Sequence, residues 1–403
     1  MDVATFESLS APTGIGADTL AAAVAGYGTE DDFALGARLR RSAPAELVAA
    51  ALTQAHLRLR ARTKFGDDAD RMFFTRDGYE QATRRSVADH RAQRIVTTLG
   101  SEAHVLDLCC GIGADLTAMA RAGATVDGVE VDPLTAAVAR ANTAVLGLAD
   151  HSTVRTADAI AANRSGYAAV TCDPARRTSR GRVFDPDAYA PPWNFVLDLL
   201  KGTACVKVAP GIPHERVPRN VEAEWVSDDG EVKEAALWSG GLTDETTRRR
   251  ATLLPTGATM TDSDDPGPEA VGVSVPGRYL YEPDGAVIRA GLVTAVAAAI
   301  GGWLIDSQIA YVSADRPVPT PFARRFEVVE TLPYDVAALR RYVREHRIGT
   351  ITVKKRGVGI EPERLRRQLR PSGPHEATFV VTRVAEKATV LVVHPTPGDN
   401  RGT

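Results

Sequence analysis

At His104 the spacing of apolar residues changes from three-to-four to two, and that change decides the architecture. Before it, DTLAAAVAGY (18–27), DDFALGARLRR (31–41), APAELVAAALTQAHLRLRARTKF (43–65) and TRRSVADHRAQRIVTTLG (83–100) have helical spacing and few β-branched runs. Residues 1–98 are therefore expected to be a helical N-terminal region. After it, strand-like runs at 104–109, 125–130, 152–157, 168–172 and 204–209 alternate with helical stretches at 115–122, 133–147 and 191–202. That alternation predicts parallel βαβ units and an open, doubly wound α/β sheet over residues 99–255. The run VEAEWVSDDGEVKEAALWSG (221–240) breaks the rhythm, because two strand runs flank Asp228-Asp229-Gly230, a hairpin turn signal. The stretch 255–277, rich in Pro, Gly and Asp, reads as a connection to a smaller α+β domain at 275–394.

The first strand run ends in DLCCGIGAD (107–115). Gly111 and Gly113 let backbone N–H groups approach a ligand at the start of the following helix. A dinucleotide fingerprint needs a third glycine at position 116, where this chain has Leu116. Asp107, four residues before Gly111, would repel a pyrophosphate and attract an amino-acid ammonium. Glu130, at the end of the second run, can accept both hydroxyls of a ribose, a role that NAD would serve equally well. Asp158, after the third run, can meet an adenine amine, or can cap a helix. Taken together, the acids sit at the C-terminal ends of strands one, two and three, where ligands bind in such sheets. The set fits S-adenosylmethionine, with S-adenosylhomocysteine as product. Asp115, Val131 and Ala159, beside these acids, complete the expected donor pocket.

On these residues, 104–240 resembles a class I S-adenosylmethionine-dependent methyltransferase. The whole chain resembles the bacterial methyltransferases with a C-terminal THUMP-like domain. The segments that carry this narrower likeness are FFTRDGYEQATRRSVADHRAQRI (73–95), CDPARR (172–177), YLYEPDGAVIRAG (279–291), IAYVSAD (309–315) and ITVKKRGVGIEPERLRRQL (351–369). The resemblance implies a nucleic-acid substrate, RNA (tRNA or rRNA) before others. It also places Gln81 and Thr83 over the methionine part of the donor; Thr83 reads equally well as the N-cap of the next helix.

The catalytic corner is expected after the fourth strand, at Asp173-Pro174-Ala175-Arg176. Enzymes that methylate base nitrogens have an acid or amide, two prolines and an aromatic residue there. In this chain Ala175 replaces the second proline and Arg176 the aromatic, and Arg176 can stack on a base or pair with a phosphate. Asp173 would orient the acceptor, and its bland alternative is a turn residue before proline. Lys207, at the end of the fifth strand, reads as a snorkelling side chain or as a contact to phosphate or base. A thiolate route through Cys172 or Cys205 is disfavoured, because both sit in apolar strands.

Net charge over the whole chain is −3, yet residues 324–370 hold thirteen Lys/Arg against six Asp/Glu. Lys354, Lys355 and Arg356 follow a strand, and Arg364 and Arg367 lie near one helix face, which suits a phosphate backbone or an ordinary solvated surface. Few aromatics interleave, so stacking on single-stranded bases is not expected. The four cysteines have no metal-ligand spacing, and no metal is expected. The longest apolar stretch, 290–305, is too short to span a bilayer, and the start lacks a signal pattern, so a cytoplasmic protein is expected. The reading that emerges is an RNA base methyltransferase. Its rivals are a methyltransferase of small molecules or proteins, and a binding module that has kept the donor pocket without turnover.

Overall fold

In a computed structural model, residues 1–175, 177–178 and 181–182 (backbone only for these two pairs) and 189–396 are described. They fall into two compact units, Met1–Glu222 with Ala235–Thr246, and Ala223–Glu234 with Thr247 onward. This division does not follow the expected limits. The helical region 1–98 belongs to the same unit as the sheet, and the cuts lie at 222, 234 and 246, before the Pro/Gly-rich stretch at 255–277.

In the first unit, helices α1 (Val3–Ser10), α2 (Ile15–Gly26), α3 (Asp32–Leu39), α4 (Ala45–Phe65), α5 (Arg76–Gln81) and α6 (Arg85–Leu99) precede the sheet. Then follow β1 (His104–Leu108), α7 (Ala114–Arg121), β2 (Thr125–Glu130), α8 (Pro133–Val145), β3 (Ser152–Thr156), β4 (Ala169–Cys172), α9 (Trp193–Leu199) and β5 (Ala204–Val208). β6 (Glu222–Asp228) and β7 (Glu231–Ser239) are joined by Asp229 and Gly230, both at positive φ (52° and 79°), the two-residue turn that matches strand twist. Strand order in this unit is β3-β2-β1-β4-β5-β7, parallel from β3 to β5, with β7 antiparallel to β5. The alternation read from the sequence is the alternation found. α1 and α5, of eight and six residues, are not among the helical runs read from the sequence.

The N-terminal helices have no core of their own. Phe6, Leu9, Leu35, Leu57 and Phe74 form one buried cluster with Ile112 of the glycine loop, Ala114 at the start of α7, and Ala137 and Val138 of α8. Buried amides then set the register. The Asn142 side chain accepts from Phe73 N (2.7 Å) and donates to Phe73 O (3.1 Å) and Ile112 O (2.9 Å). Gln54 of α4 brackets Phe74 in the same way, at 2.6 and 3.0 Å. Lys64 Nζ donates to the carbonyls of Tyr79, Glu80 and Ala82, closing the C-terminal end of α5 with a cation.

In the second unit β6 lies parallel to β8 (Arg249–Leu254), which pairs antiparallel with β9 (Ala258–Thr261). A seven-stranded sheet is built from β10 (Tyr279–Pro283), β11 (Trp303–Leu304), β12 (Val312–Ala314), β13 (Ala323–Pro333), β14 (Ile348–Lys355), β15 (His375–Val384) and β16 (Lys387–Pro395). Its order is β11-β12-β10-β13-β16-β15-β14, antiparallel except for β14 with β15. The apolar spacing over 285–301 predicts one helix, but two are found, α10 (Gly285–Ala290) and α11 (Val293–Ile300), because Gly291 turns left-handed (φ 69°) and ends the first. α12 (Val336–Glu345) and α13 (Pro362–Leu369) bury Leu339, Tyr342, Val343, Leu365 and Leu369 against strands of this sheet. Among the described residues no helix is long and apolar enough to cross a membrane, and no group of His, Cys, Asp or Glu is placed to hold a metal ion.

Asn142 is fully buried, so Asn142→Leu strands three backbone groups of nearly unchanged surroundings without partners. The variant is expected to lose roughly 2–4 kcal/mol in urea unfolding with little change in m. A loss under about 0.5 kcal/mol would show that this pin carries nothing.

Candidate active site

Asp107 is the last residue but one of β1, and the chain then turns through Cys109 (φ 59°), Gly111 (φ 55°) and Gly113 (φ 86°) into α7. Both glycines are in the left-handed region that the turn demands. Cys109 is there too, a strained conformation for a residue with a side chain. Leu116, in the place of a third glycine, is fully buried. The close approach of helix and strand is made from the other side, because a Cβ on Gly128 of β2 would lie 2.4 Å from Leu116 Cδ1.

Asp107 is 3% exposed, and Thr171 of β4, its register partner, donates to Oδ1 at 2.7 Å. Oδ2 is buried with no hydrogen-bond partner. Burial and then the neighbouring Asp115 carboxylate push the Asp107 carboxyl up to about 7, against the Thr171 bond and Arg91. A buried carboxylate oxygen with nothing to accept from fits an incoming ammonium.

The Glu130 carboxylate is fixed from both ends, Oε2 by Gly111 N (3.0 Å) and Oε1 by Asp132 N (3.0 Å). Each oxygen keeps a lone pair for a hydroxyl donor. Asp158 accepts from Ile160 N at 2.9 Å and caps no helix. Val131 (68% exposed) and Ile160 (53% exposed) are large apolar side chains left in solvent at the ends of β2 and β3. They could flank a flat aromatic ring, and Ala159 is buried beneath. Ile160 was not anticipated; an exposed isoleucine two residues after the acid was the available signal.

The remaining predicted residues are drawn together differently. Asp115 does not stand open to a ligand, because Arg91 of α6 pairs with one oxygen and Thr83 Oγ1 donates to the other at 2.6 Å. Burial works to raise its carboxyl, but Arg91, Lys207 and the Thr83 bond outweigh that and hold it below the usual carboxylate range. Thr83 is not an N-cap, since Arg84 occupies that position of α6. Gln81 is exposed at the end of α5, and Gly78 of the same helix is pressed on Ile112 of the loop, 2.4 Å from a would-be Cβ. Lys207 does not snorkel. It is 6% exposed and donates to Asp173 Oδ2 at 2.6 Å and Thr83 Oγ1 at 2.9 Å.

Pro174 is buried, and Ala175 pairs with Ala190 through two backbone bonds (2.8 and 3.1 Å), which fixes the chain after Asp173. Arg176 lies outside the described residues. Tyr189, unforeseen, is buried at this corner, and its hydroxyl accepts from Ala209 N at 3.0 Å. The Cys109 thiol, with burial, pushes the Cys172 thiol well up, and Cys205 is buried, so a thiolate nucleophile is not favoured.

In the second unit the run Lys354-Lys355-Arg356 does not form one basic surface. Lys354 Nζ is 2.6 Å from Glu282 Oε2 and Arg356 is 3.7 Å from Glu282 Oε1, while Lys355 donates to Ile360 O at 2.7 Å. Arg364 and Arg367 are exposed on α13, as expected, together with Arg340, Arg341 and Arg344 of α12. Arg340 Nε donates to Gln368 O at 2.9 Å and ties the two helices together.

Comparison with known proteins gives concordant results. A family model described as THUMP domain-like matches residues 323–395, and one for a domain of unknown function matches residues 2–61. Two proteins of Mycobacterium tuberculosis (strains CDC 1551 and H37Rv), each described as an uncharacterized S-adenosylmethionine-dependent methyltransferase, are 38% identical over 343 residues, 81% of this chain and 90% of theirs. A crystallised candidate methyltransferase of Porphyromonas gingivalis W83 has a TM-score of 0.74 at 21% identity, covering 94% of this chain and 98% of its own.

The raised Asp107 carboxyl has two measurable consequences. An ammonium is held by the ionised form, so S-adenosylmethionine affinity in calorimetry is expected to fall as pH drops below about 7, approaching tenfold per unit. For stability the sign is opposite to the usual carboxylate. The folded state holds this proton more tightly than the unfolded chain, so stability is lost as pH rises from about 4 to about 7. Asp107→Asn is therefore expected to be more stable than wild type at pH 8, by on the order of 2–4 kcal/mol, while binding the donor poorly. Equal stability at pH 8, or a donor affinity flat from pH 5 to 8, would contradict the assignment.

Proposed function

Because this chain belongs to the S-adenosylmethionine-dependent methyltransferases, we propose that the transferred methyl group goes to a base of structured RNA, in tRNA or rRNA. The bound donor supplies an electrophilic methyl on a sulfonium. In this reading the Asp107 Oδ2 position takes its ammonium, Glu130 the ribose hydroxyls and Asp158 the adenine amine. Val131 and Ile160 flank the ring, and Gly111 and Gly113 offer backbone at close approach. Asp173 is the acceptor-side group: Lys207 engages Oδ2, which leaves Oδ1 to accept an N–H from the base and turn its lone pair toward the methyl. Lys207 is a positioning residue here rather than a contact to phosphate.

The observation that carries the RNA reading is the arginine face of α12 and α13. Arg341, Arg344, Arg364 and Arg367 are exposed, and among the described residues none is paired with a carboxylate, while apolar residues fill the opposite side of both helices. Arginine in this density suits phosphate oxygens, which position a nucleic acid without reading its sequence. The THUMP-like match over 323–395 covers both helices.

Nucleoside mass spectrometry of total RNA from cells with and without the gene tests the substrate, with one methylated nucleoside expected to disappear. Asp173→Ala is expected to abolish transfer while donor affinity stays within about threefold; near wild-type turnover would make Asp173 a turn residue. Replacing Arg341, Arg344, Arg364 and Arg367 with Gln is expected to flatten the log–log salt dependence of RNA binding by up to about 3 units. Donor affinity should not change. RNA affinity independent of salt would move the substrate to a small molecule or protein.

A further inference from the structure

We propose that Thr83 is a positioning residue joining the donor side of the site to its acceptor side, and not a ligand of the donor. A threonine hydroxyl has one proton and two lone pairs, and an ammonium can only donate. Lys207 Nζ, 2.9 Å from Thr83 Oγ1, therefore donates to it, and the hydroxyl proton is committed to Asp115 Oδ2 at 2.6 Å. A second Lys207 proton goes to Asp173 Oδ2 at 2.6 Å, and Arg91 closes the other end on Asp115 Oδ1. The row Arg91–Asp115–Thr83–Lys207–Asp173 thus runs with every donor direction determined. Asp115 lies in the first turn of α7, directly after the glycine loop, and Asp173 directly follows β4.

Thr83 itself is 6% exposed and comes from the segment ahead of the sheet, which Lys64 and Asn142 hold against the loop. Without its hydroxyl, the buried Lys207 ammonium loses the contact that ties it to the Asp115 end of the row. The acceptor-side carboxylate then loses its orientation while the residues around the donor keep theirs. This inference rests on Asp173 being the acceptor-side group.

Thr83→Val keeps the shape and removes the hydroxyl, and Thr83→Ser restores it. S-adenosylhomocysteine is the probe in calorimetry and in NMR of ¹³C-lysine-labelled full-length protein, with the Lys207 signal assigned from Lys207→Arg. Wild type and Thr83→Ser are expected to show a Lys207 shift on adding the probe. Thr83→Val is expected to lose that shift while binding the probe within about threefold of wild type. With S-adenosylmethionine and total RNA from gene-deleted cells, its turnover is expected to fall at least about tenfold, KM for the donor unchanged, with rescue by Thr83→Ser. A probe affinity more than about tenfold weaker in Thr83→Val would make Thr83 a donor ligand and overturn the proposal. An unchanged Lys207 response in Thr83→Val would overturn it too. If wild type fails to methylate RNA while the Lys207 response follows the pattern above, the RNA acceptor falls and the row of contacts stands.

Discussion

Three carboxylates that feel one another's charge are buried or half-buried at the C-terminal edge of one sheet, and the site is organised around that electrostatic cost. Asp107 is destabilised in its charged form by Asp115 and by Asp173, beyond the penalty of its own burial. Two cations answer them, Arg91 on Asp115 and Lys207 on Asp173, and Asp107 is left with a threonine and an oxygen without a partner. The balance is one positive charge short. A donor with an ammonium, a carboxylate and a sulfonium carries one net positive charge, and its demethylated product carries none. If the donor sits beside Asp107 as proposed, the same deficit would favour its uptake over that of the product.

The backbone around these acids is held by groups far away in the chain. Asn142 reaches Phe73 across 69 positions, Gln54 reaches Phe74 across 20, and Lys64 caps α5 across 15 to 18. Each is a buried or half-buried polar side chain whose bonds go to main-chain groups, the arrangement that makes loss of one partner costly. The helical N-terminal region is therefore packed into the same structure as the glycine loop. Its α4 fixes α5, α5 rests Gly78 on Ile112, and the segment delivers Thr83 between Asp115 and Lys207.

What could be read from the chain alone was whatever short-range pattern encodes. The period switch at His104, the glycines at 111 and 113 and the acids at strand ends are local signals. The sheet order and the left-handed turns agree with them. Partnership is not local. Lys207 offers the same letter whether it snorkels or is buried on Asp173, and only the neighbouring β4 decides. Asp115 looked like a ligand because it follows the glycine loop, yet Arg91 is 24 positions earlier. Lys354-Lys355-Arg356 looked like a patch, but a strand sends successive side chains to opposite faces, and Glu282 lies on the face that Lys354 and Arg356 share. Arg364 and Arg367 kept their predicted exposure because a three-residue step on a helix stays on one face.

The two basic systems obey opposite physics, and that separates their tasks. Lys207 and Arg91 are buried, so their charge is committed to carboxylates at fixed geometry and is unavailable to a large polyanion. Arg341, Arg344, Arg364 and Arg367 are solvated, so a phosphate brought to them would be held at little desolvation cost, weakly per contact and in a salt-dependent way. Contacts of the second kind cannot choose a base. If RNA is the acceptor, the choice of nucleotide has to be made at the corner of Asp173 and Pro174, where a base must be out of its stack to reach the methyl group. Among the described residues of that corner, the aromatics Tyr189 and Trp193 are both buried. Among the described residues, hydrogen bonds to Asp173 and to backbone are the means of selection that corner offers.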